Sequence, residues 1–403
     1  MSTVAGHLDI SDPDDPTAAA IRDLIDQDGG PLVPGAIGEV LRNDDFLHAV
    51  ASLSFLEAEL NRVSAANNGP PVTVHVTRSL SFGATVRMVG SGHAAILLPV
   101  GTIARMRVMH RLLLSNWNRP GHPPRVIASM MDRPVQRPVP SGLVPLLSDA
   151  QEEAEWWAAL ETLDAATSMD AAFEPDVREL NHLSLSLLMA HEFAHVLRHH
   201  PEVRQRVRTG TLSFEVDDKD KRRPGTDAEL RRSMENDADM IAAFIVVAGM
   251  VRHVREGGGQ LPQAFLRLSY ATTALIGLFE PRRLSIMEYG DGSEYPHPFL
   301  RYCAYNDDFG DCAEQVGVRD AYDGNGDFGA LKCQEALSWI EKDILTDGRF
   351  GGPINGDPTI HVLRHSSAFM FGLARMQDRE RALALRLETL ITHEYGEFQL
   401  SVK

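Results

Sequence analysis

The sequence predicts an α+β fold, in which a small sheet packs against two long helices and helical regions lie at either end. Three observations carry this. Val72–Thr77 alternates like a half-buried strand, and Ala84–Val89 and Ala94–Val100 read as two more. Further on, "DVRE" from Asp176 and "TDAE" from Thr226 have the spacing of a helix capping box. Each opens a long, largely apolar segment of helical length.

Taken in order, residues 1–64 form a helical N-terminal region with an acidic, Asp/Pro-rich leader. Its helices span Thr17–Gln27 and Asp44–Ala65, separated by the breaker "GGPLVPG". Residues 65–310 form a central domain. There the three strands lead into a helix from about Thr102 to Trp117. Asn118 to Asp149 is dense in proline and predicts a long irregular connection, and Glu152–Leu163 a short amphipathic helix. The first capped helix runs from Asp176 to about His199 and stops before Pro201, because proline disfavours helical geometry in the residue preceding it. The second runs from Thr226 to about Arg255 and ends in Gly257-Gly258-Gly259. Another helix spans Pro262 to about Phe279. Residues 311–403 form a mainly helical C-terminal region, with helices near Leu331–Leu345, Ile360–Met376 and Asp378–His393.

Composition narrows the function. With 403 residues, 43% hydrophobic and 24% charged, the chain has the make-up of a folded protein rather than a disordered one. Its net charge of −17 argues against a nucleic-acid or anionic-membrane binder, since both need a basic surface. A basic cluster from Arg204 to Arg232 is interleaved with acidic residues and reads as a solvated surface. The acidic N-terminus lacks the apolar core of a signal peptide, and the most apolar run, Met240–Val251, is too short to span a bilayer. Cys303, Cys312 and Cys333 have no C-x-x-C spacing and read as free thiols. The expectation is a cytoplasmic protein without a membrane span.

The chemistry concentrates in "LLMAHEFAHVLRHHPE", Leu187 to Glu202. His191 and His195 stand four residues apart, so on a helix their imidazoles project from one face, one turn apart. Two nitrogen ligands for one zinc ion need that geometry. Glu192 projects beside them, placed to reach a water rather than the metal. The flanking residues are apolar, and a buried polar cluster needs a partner. The bland alternative is a wet helix face rich in histidine.

A third ligand would decide between them. The pattern H-E-x-x-H-x-x-G-x-x-H fails, because Arg198 and Pro201 occupy the glycine and last histidine positions. His199 and His200 read as surface residues. On the second capped helix, "SMENDADMIAAF" places Glu235 and Asp239 four apart on one face. Glu235 is the expected third ligand. Asp239 is the expected hydrogen-bond partner of a ligand histidine, fixing its tautomer. The alternative is a pair of acidic residues serving the helix dipole.

This arrangement resembles the gluzincin metallopeptidases, and "E-N-D-A-D" in particular is similar to the E-x-x-A-D of the HtpX and CAAX-prenyl-protease type. "EYPHPFLRY", Glu294 to Tyr302, is similar to their H-P-x-x-x-R element with the arginine one place early. The resemblance covers Leu180 to Tyr302, lacks the transmembrane helices typical of that group, and extends more weakly to soluble phage-exclusion proteases of the Lit type. It implies a zincin-like core, with the small sheet packed on two metal-binding helices. It also implies that His297 and Arg301 lie beside the metal as catalytic groups. His297, held between Pro296 and Pro298, would stabilise developing negative charge, and Arg301 would hold the loop or grip the substrate.

The function expected is zinc-dependent hydrolysis of peptide bonds in a protein or peptide substrate. His191, His195 and Glu235 would hold zinc, which activates a water, and Glu192 would take its proton as general base. The Ala94–Leu98 strand could pair with the substrate backbone. Two rivals remain: a non-catalytic zinc domain acting as a sensor or interaction module, and a highly specific protease toxin or phage-defence effector. Asp323, Asn325 and Asp327 stand at calcium-loop spacing, but Phe328 occupies the sharp-turn glycine position, so a polar turn is expected there.

Overall fold

The computed structural model describes residues 11–32, 43–115, 174–279, 298–326 and 367–398, save residues 13, 91, 219 and 220, together with residue 158. Helix α1 (Pro16–Gln27) starts where Asp15 accepts hydrogen bonds from the backbone N–H groups of Thr17 and Ala18 at 2.7 and 3.2 Å. Helix α2 (Asn43–Ala66) leads into strands β1 (Val72–Thr77), β2 (Thr85–Val89) and β3 (His93–Pro99). Their order is β1-β3-β2, with β1 parallel and β2 antiparallel to β3.

Every residue of β3 is buried, as expected of a central strand with neighbours on both sides. This corrects the expectation that Ala94–Leu98 pairs with a substrate: its backbone groups are already taken by β1 and β2. Helix α3 (Val100–Ser115) leaves β3 directly. Gly101 permits that turn, since a Cβ there would lie 2.3 Å from the Leu80 carbonyl oxygen.

Two long helices form the frame of the site, α4 (Glu174–Leu197) and α6 (Asp227–Gly257). His191 meets Asp239, while His182 and His253 both flank the Phe55 ring, so the two helices run antiparallel. Ala238, Ala242 and Ala243 are fully buried on α6 beside Phe193 and Ala194 of α4 in one core cluster. Small residues on one helix let the other approach closely.

The α6 capping box forms as the sequence predicts. The Thr226 hydroxyl accepts from Glu229 N–H at 3.2 Å, and Glu229 accepts from Thr226 N–H at 2.8 Å. Gly258 closes the helix in the left-handed region at φ 70°. The expected α4 box does not form. The helix begins at Glu174, with Pro175 in its first turn, where a missing N–H costs nothing. Asp176 and Glu179 instead hold Arg267 of α7 (Leu261–Phe279) at 3.0 and 2.8 Å.

Between the two frame helices lie α5 (His200–Arg208) and a hairpin of β4 (Glu215–Asp218) and β5 (Lys221–Pro224). After α7 come α8 (Pro298–Gln315), the short α9 (Arg319–Tyr322) and α10 (Ser367–Tyr395). Helix α10 is continuous where two helices were expected, because Met376-Gln377-Asp378 contains neither glycine nor proline. It docks through Arg232–Glu380 at 3.1 Å and Arg206–Glu394 at 2.9 Å. Arg232, expected on a solvated surface, is therefore only 4% exposed. The helices expected at Glu152–Leu163 (residue 158 apart) and Leu331–Leu345 lie outside the described residues, as do the proline-dense connection and Cys333. Cys303 and Cys312 form no disulfide among the described residues. Among the described residues, no helix is long and apolar enough to cross a membrane.

His110 shows what packing costs at low pH. It is 1% exposed, with Nδ1 2.6 Å from Asn181 Oδ1, and burial pushes its pKa down to about 4 against the pull of that contact. An unfolded histidine titrates near ~6.5, so below that pH the unfolded chain binds a proton the native state refuses. Stability should fall as pH drops from ~6.5 towards ~4, by about 3 kcal/mol from this residue. Urea unfolding of chelated protein at pH ~7 and ~4.5 should show a pH loss about 2–3 kcal/mol smaller in His110→Gln than in wild type. An equal loss in both proteins would remove His110 from the account.

Candidate metal centre

Helical spacing on α4 puts His191 and His195 on one face, and their Nε2 atoms lie 3.2 Å apart. Helix α6 brings Glu235 to them: Oε2 is 3.3 Å from His191 Nε2, and Oε1 is 3.7 Å from His195 Nε2. Zinc bonds of 2.0–2.1 Å in a tetrahedron separate ligand atoms by roughly 3.4 Å. The residues fit such an ion. His195 and Glu235 each keep 17% of their side chains exposed, so the cluster opens to solvent on that side.

The far side of each histidine explains why the near nitrogens face inward. His191 Nδ1 lies 2.7 Å from Asp239 Oδ1, a close but bent contact. Asp239 in turn accepts from Arg301 Nε and Nη2 at 2.8 and 2.7 Å, and from the Tyr305 hydroxyl at 2.8 Å. His195 Nδ1 lies 2.8 Å from His200 Nδ1. With both Nδ1 atoms engaged outward, two imidazole lone pairs and a carboxylate converge on one point. A cation relieves that convergence; without one, a proton takes its place.

The electrostatics follow. Burial disfavours charge on His191, but Asp239 and then Glu235 outweigh it and hold its pKa up at about 10. His195 is pushed down to about 3 by burial, then by His191 and His200. Burial alone would raise Glu235, yet the His191 contact brings it down to about 2. Burial also opposes ionisation of Asp239, and Arg301 and His191 reverse that, holding it far below the usual carboxylate range. Glu192 goes the other way. Burial lifts it to about 7, Glu235 adds to the rise, and His191, Arg301 and Arg87 of β2 offset part of it.

The structure thus brings together His191, Glu192, His195, Glu235 and Asp239 as the sequence predicts. Arg301 is 9% exposed and donates to Asp239 from Nε and Nη2, which places it behind the His191–Asp239 pair. His297 lies outside the described residues. His199 is exposed, as expected, but His200 is 2% exposed and belongs to the site. The reason is a break in the helix: His199 adopts the left-handed conformation at φ 55°, ψ 29°. That conformation costs a non-glycine residue about 1–2 kcal/mol. Its ring stacks on Tyr395 of α10, with centroids 4.3 Å apart. Tyr305, Arg198 and Asp237 were missed. Tyr305 had a signal, standing four residues after Arg301 on one helix.

Asp323 and Asn325 are engaged locally, Asp323 with Arg319 at 2.7 Å and Asn325 with the Ala321 carbonyl at 3.2 Å, in keeping with a polar turn. Asp327 lies outside the described residues. A cavity of about 360 Å³ between α2, α4 and α6 is lined by Phe55, His182, Met189, Val246 and His253, but by none of the three clustered residues. Comparison of the chain with known protein families, characterised proteins and solved structures finds no match.

Proposed function

We propose that the chain is a zinc-dependent metallopeptidase. The observation that carries the reading is the convergence of His191 Nε2, His195 Nε2 and Glu235 at zinc-ligand spacing, beside a glutamate that is not part of the triad. Bound zinc would supply Lewis acidity and lower the pKa of a coordinated water. Everything else is done by the chain. Glu192 is half-buried, and burial tunes its carboxylate towards neutrality, which suits a group that accepts a proton and returns it to a leaving amine. Asp239, clamped by Arg301 and Tyr305, holds the His191 ring in place.

Substrate alignment falls to β2 rather than β3. Among the described strands β2 pairs only with β3, and an extended peptide adding to its other edge would continue the sheet. Arg87 and Met88 are exposed on it, and Arg87 is close enough to act on the Glu192 charge. Incubating wild-type protein with a complex protein mixture should generate new peptide termini that vanish on chelation and in Glu192→Gln. Stoichiometric zinc with no new termini would favour the non-catalytic zinc domain instead.

A further inference from the structure

We propose that His200 and Asp237 are positioning residues for His195, forming a relay that fixes its tautomer and strengthens its hold on a divalent cation. The proposal rests on the reading of the cluster as a metal centre and deepens it. His195 Nδ1 lies 2.8 Å from His200 Nδ1, and His200 Nε2 lies 2.9 Å from Asp237 Oδ2. Arg198 closes the chain, donating from Nε to Asp237 Oδ2 at 2.9 Å and from Nη2 to Oδ1 at 3.1 Å. Arg198, His200 and Asp237 are all at most 3% exposed, so water does not substitute for these bonds.

With a neutral His200, as a divalent cation on the adjoining histidine favours, the donor pattern has one consistent solution. An ionised Asp237 only accepts, so His200 Nε2 must carry the proton between them. A neutral His200 then has a bare Nδ1, which accepts the Nδ1–H of His195. That leaves the Nε2 lone pair of His195 committed to the cluster. The backbone makes this possible. On an unbroken helix residue 200 would point well away from residue 195, and the left-handed turn at His199 swings it back alongside. Each histidine of the cluster is therefore backed by a buried aspartate that an arginine neutralises: Asp239 with Arg301 for His191, and Asp237 with Arg198, through His200, for His195. The cluster gains ligand basicity without adding net negative charge.

The test is zinc affinity by chelator competition, together with the absorption spectrum of the cobalt-loaded protein. His200→Ala should weaken zinc ~10–100-fold and alter the cobalt spectrum. His200→Gln keeps one acceptor and one donor and should recover most of the affinity, whereas a purely space-filling role would not distinguish the two by ligand field. His393→Ala, at an exposed histidine of α10 outside the cluster, is the control and should bind as wild type. If His200→Ala does not fold, histidine nitrogen resonances of the zinc-loaded wild type decide: His195 protonated at Nδ1 and His200 at Nε2 alone. Wild-type affinity and spectrum in His200→Ala, or a proton on His200 Nδ1, overturns the relay while leaving the metal centre intact. Wild-type protein that binds no zinc, or a His191→Ala/His195→Ala protein that binds it equally well, overturns the metal reading itself.

Discussion

Glu192→Gln is expected to keep one zinc per chain and lose at least ~10² in hydrolysis. The substitution preserves shape and nearly preserves volume, so α4 and its contacts should survive. It removes a carboxylate beside the cluster that, among the described residues, neither the triad nor the two aspartate–arginine pairs employ. Glutamine cannot accept and return a proton, and a hundredfold loss corresponds to about 3 kcal/mol of transition-state stabilisation. The effect should fall on kcat more than on KM, because the group acts on the transferring proton rather than on bound substrate. A variant that cuts at the wild-type rate with zinc in place shows that another group is the base.

Glu235→Ala is expected to have the largest effect on zinc affinity of any single change on α6. Glu235 is the sole carboxylate within 4 Å of both histidine Nε2 atoms among the described residues, and its loss leaves two nitrogens and solvent. Asp239→Ala should give a smaller loss of about 10–100-fold, since Asp239 reaches the cluster only through His191. His199→Ala should cost far less than Glu235→Ala, because that ring stacks on Tyr395 and does not reach the cluster. Competition with a graded series of chelators ranks the three. Loss of metal in His199→Ala with retention in Glu235→Ala would mean that α4 and α6 do not share one ion.

Much of this site was legible in the sequence because it is written in helical periodicity. His191/His195 and Glu235/Asp239 are both four-residue pairs, and four residues on a helix share a face whatever the fold. The capping box at Thr226 likewise needs only local bonds. What the sequence hid depends on the chain leaving its regular path. His200 becomes a partner of His195 only because His199 enters the left-handed region, a conformation no side chain there announces. Asp237, two residues from Glu235, faces away from the cluster, and its role is visible only once Arg198 and His200 are seen against it. Strand order is similarly non-local. The apolar run Ala94–Leu98 identified a strand but not its central place, which comes from β1 and β2 pairing on either side. Arg301 was found, but not its contact with Asp239, because the burial of Asp239 is a property of the packed helices.

The most direct test of the account is the zinc content of protein purified without added metal, measured alongside a His191→Ala/His195→Ala variant. The geometry predicts about one equivalent in the wild type and essentially none in the variant, with both proteins folded. No zinc in the wild type, or equal zinc in both, would contradict the metal centre and with it the proposed peptidase.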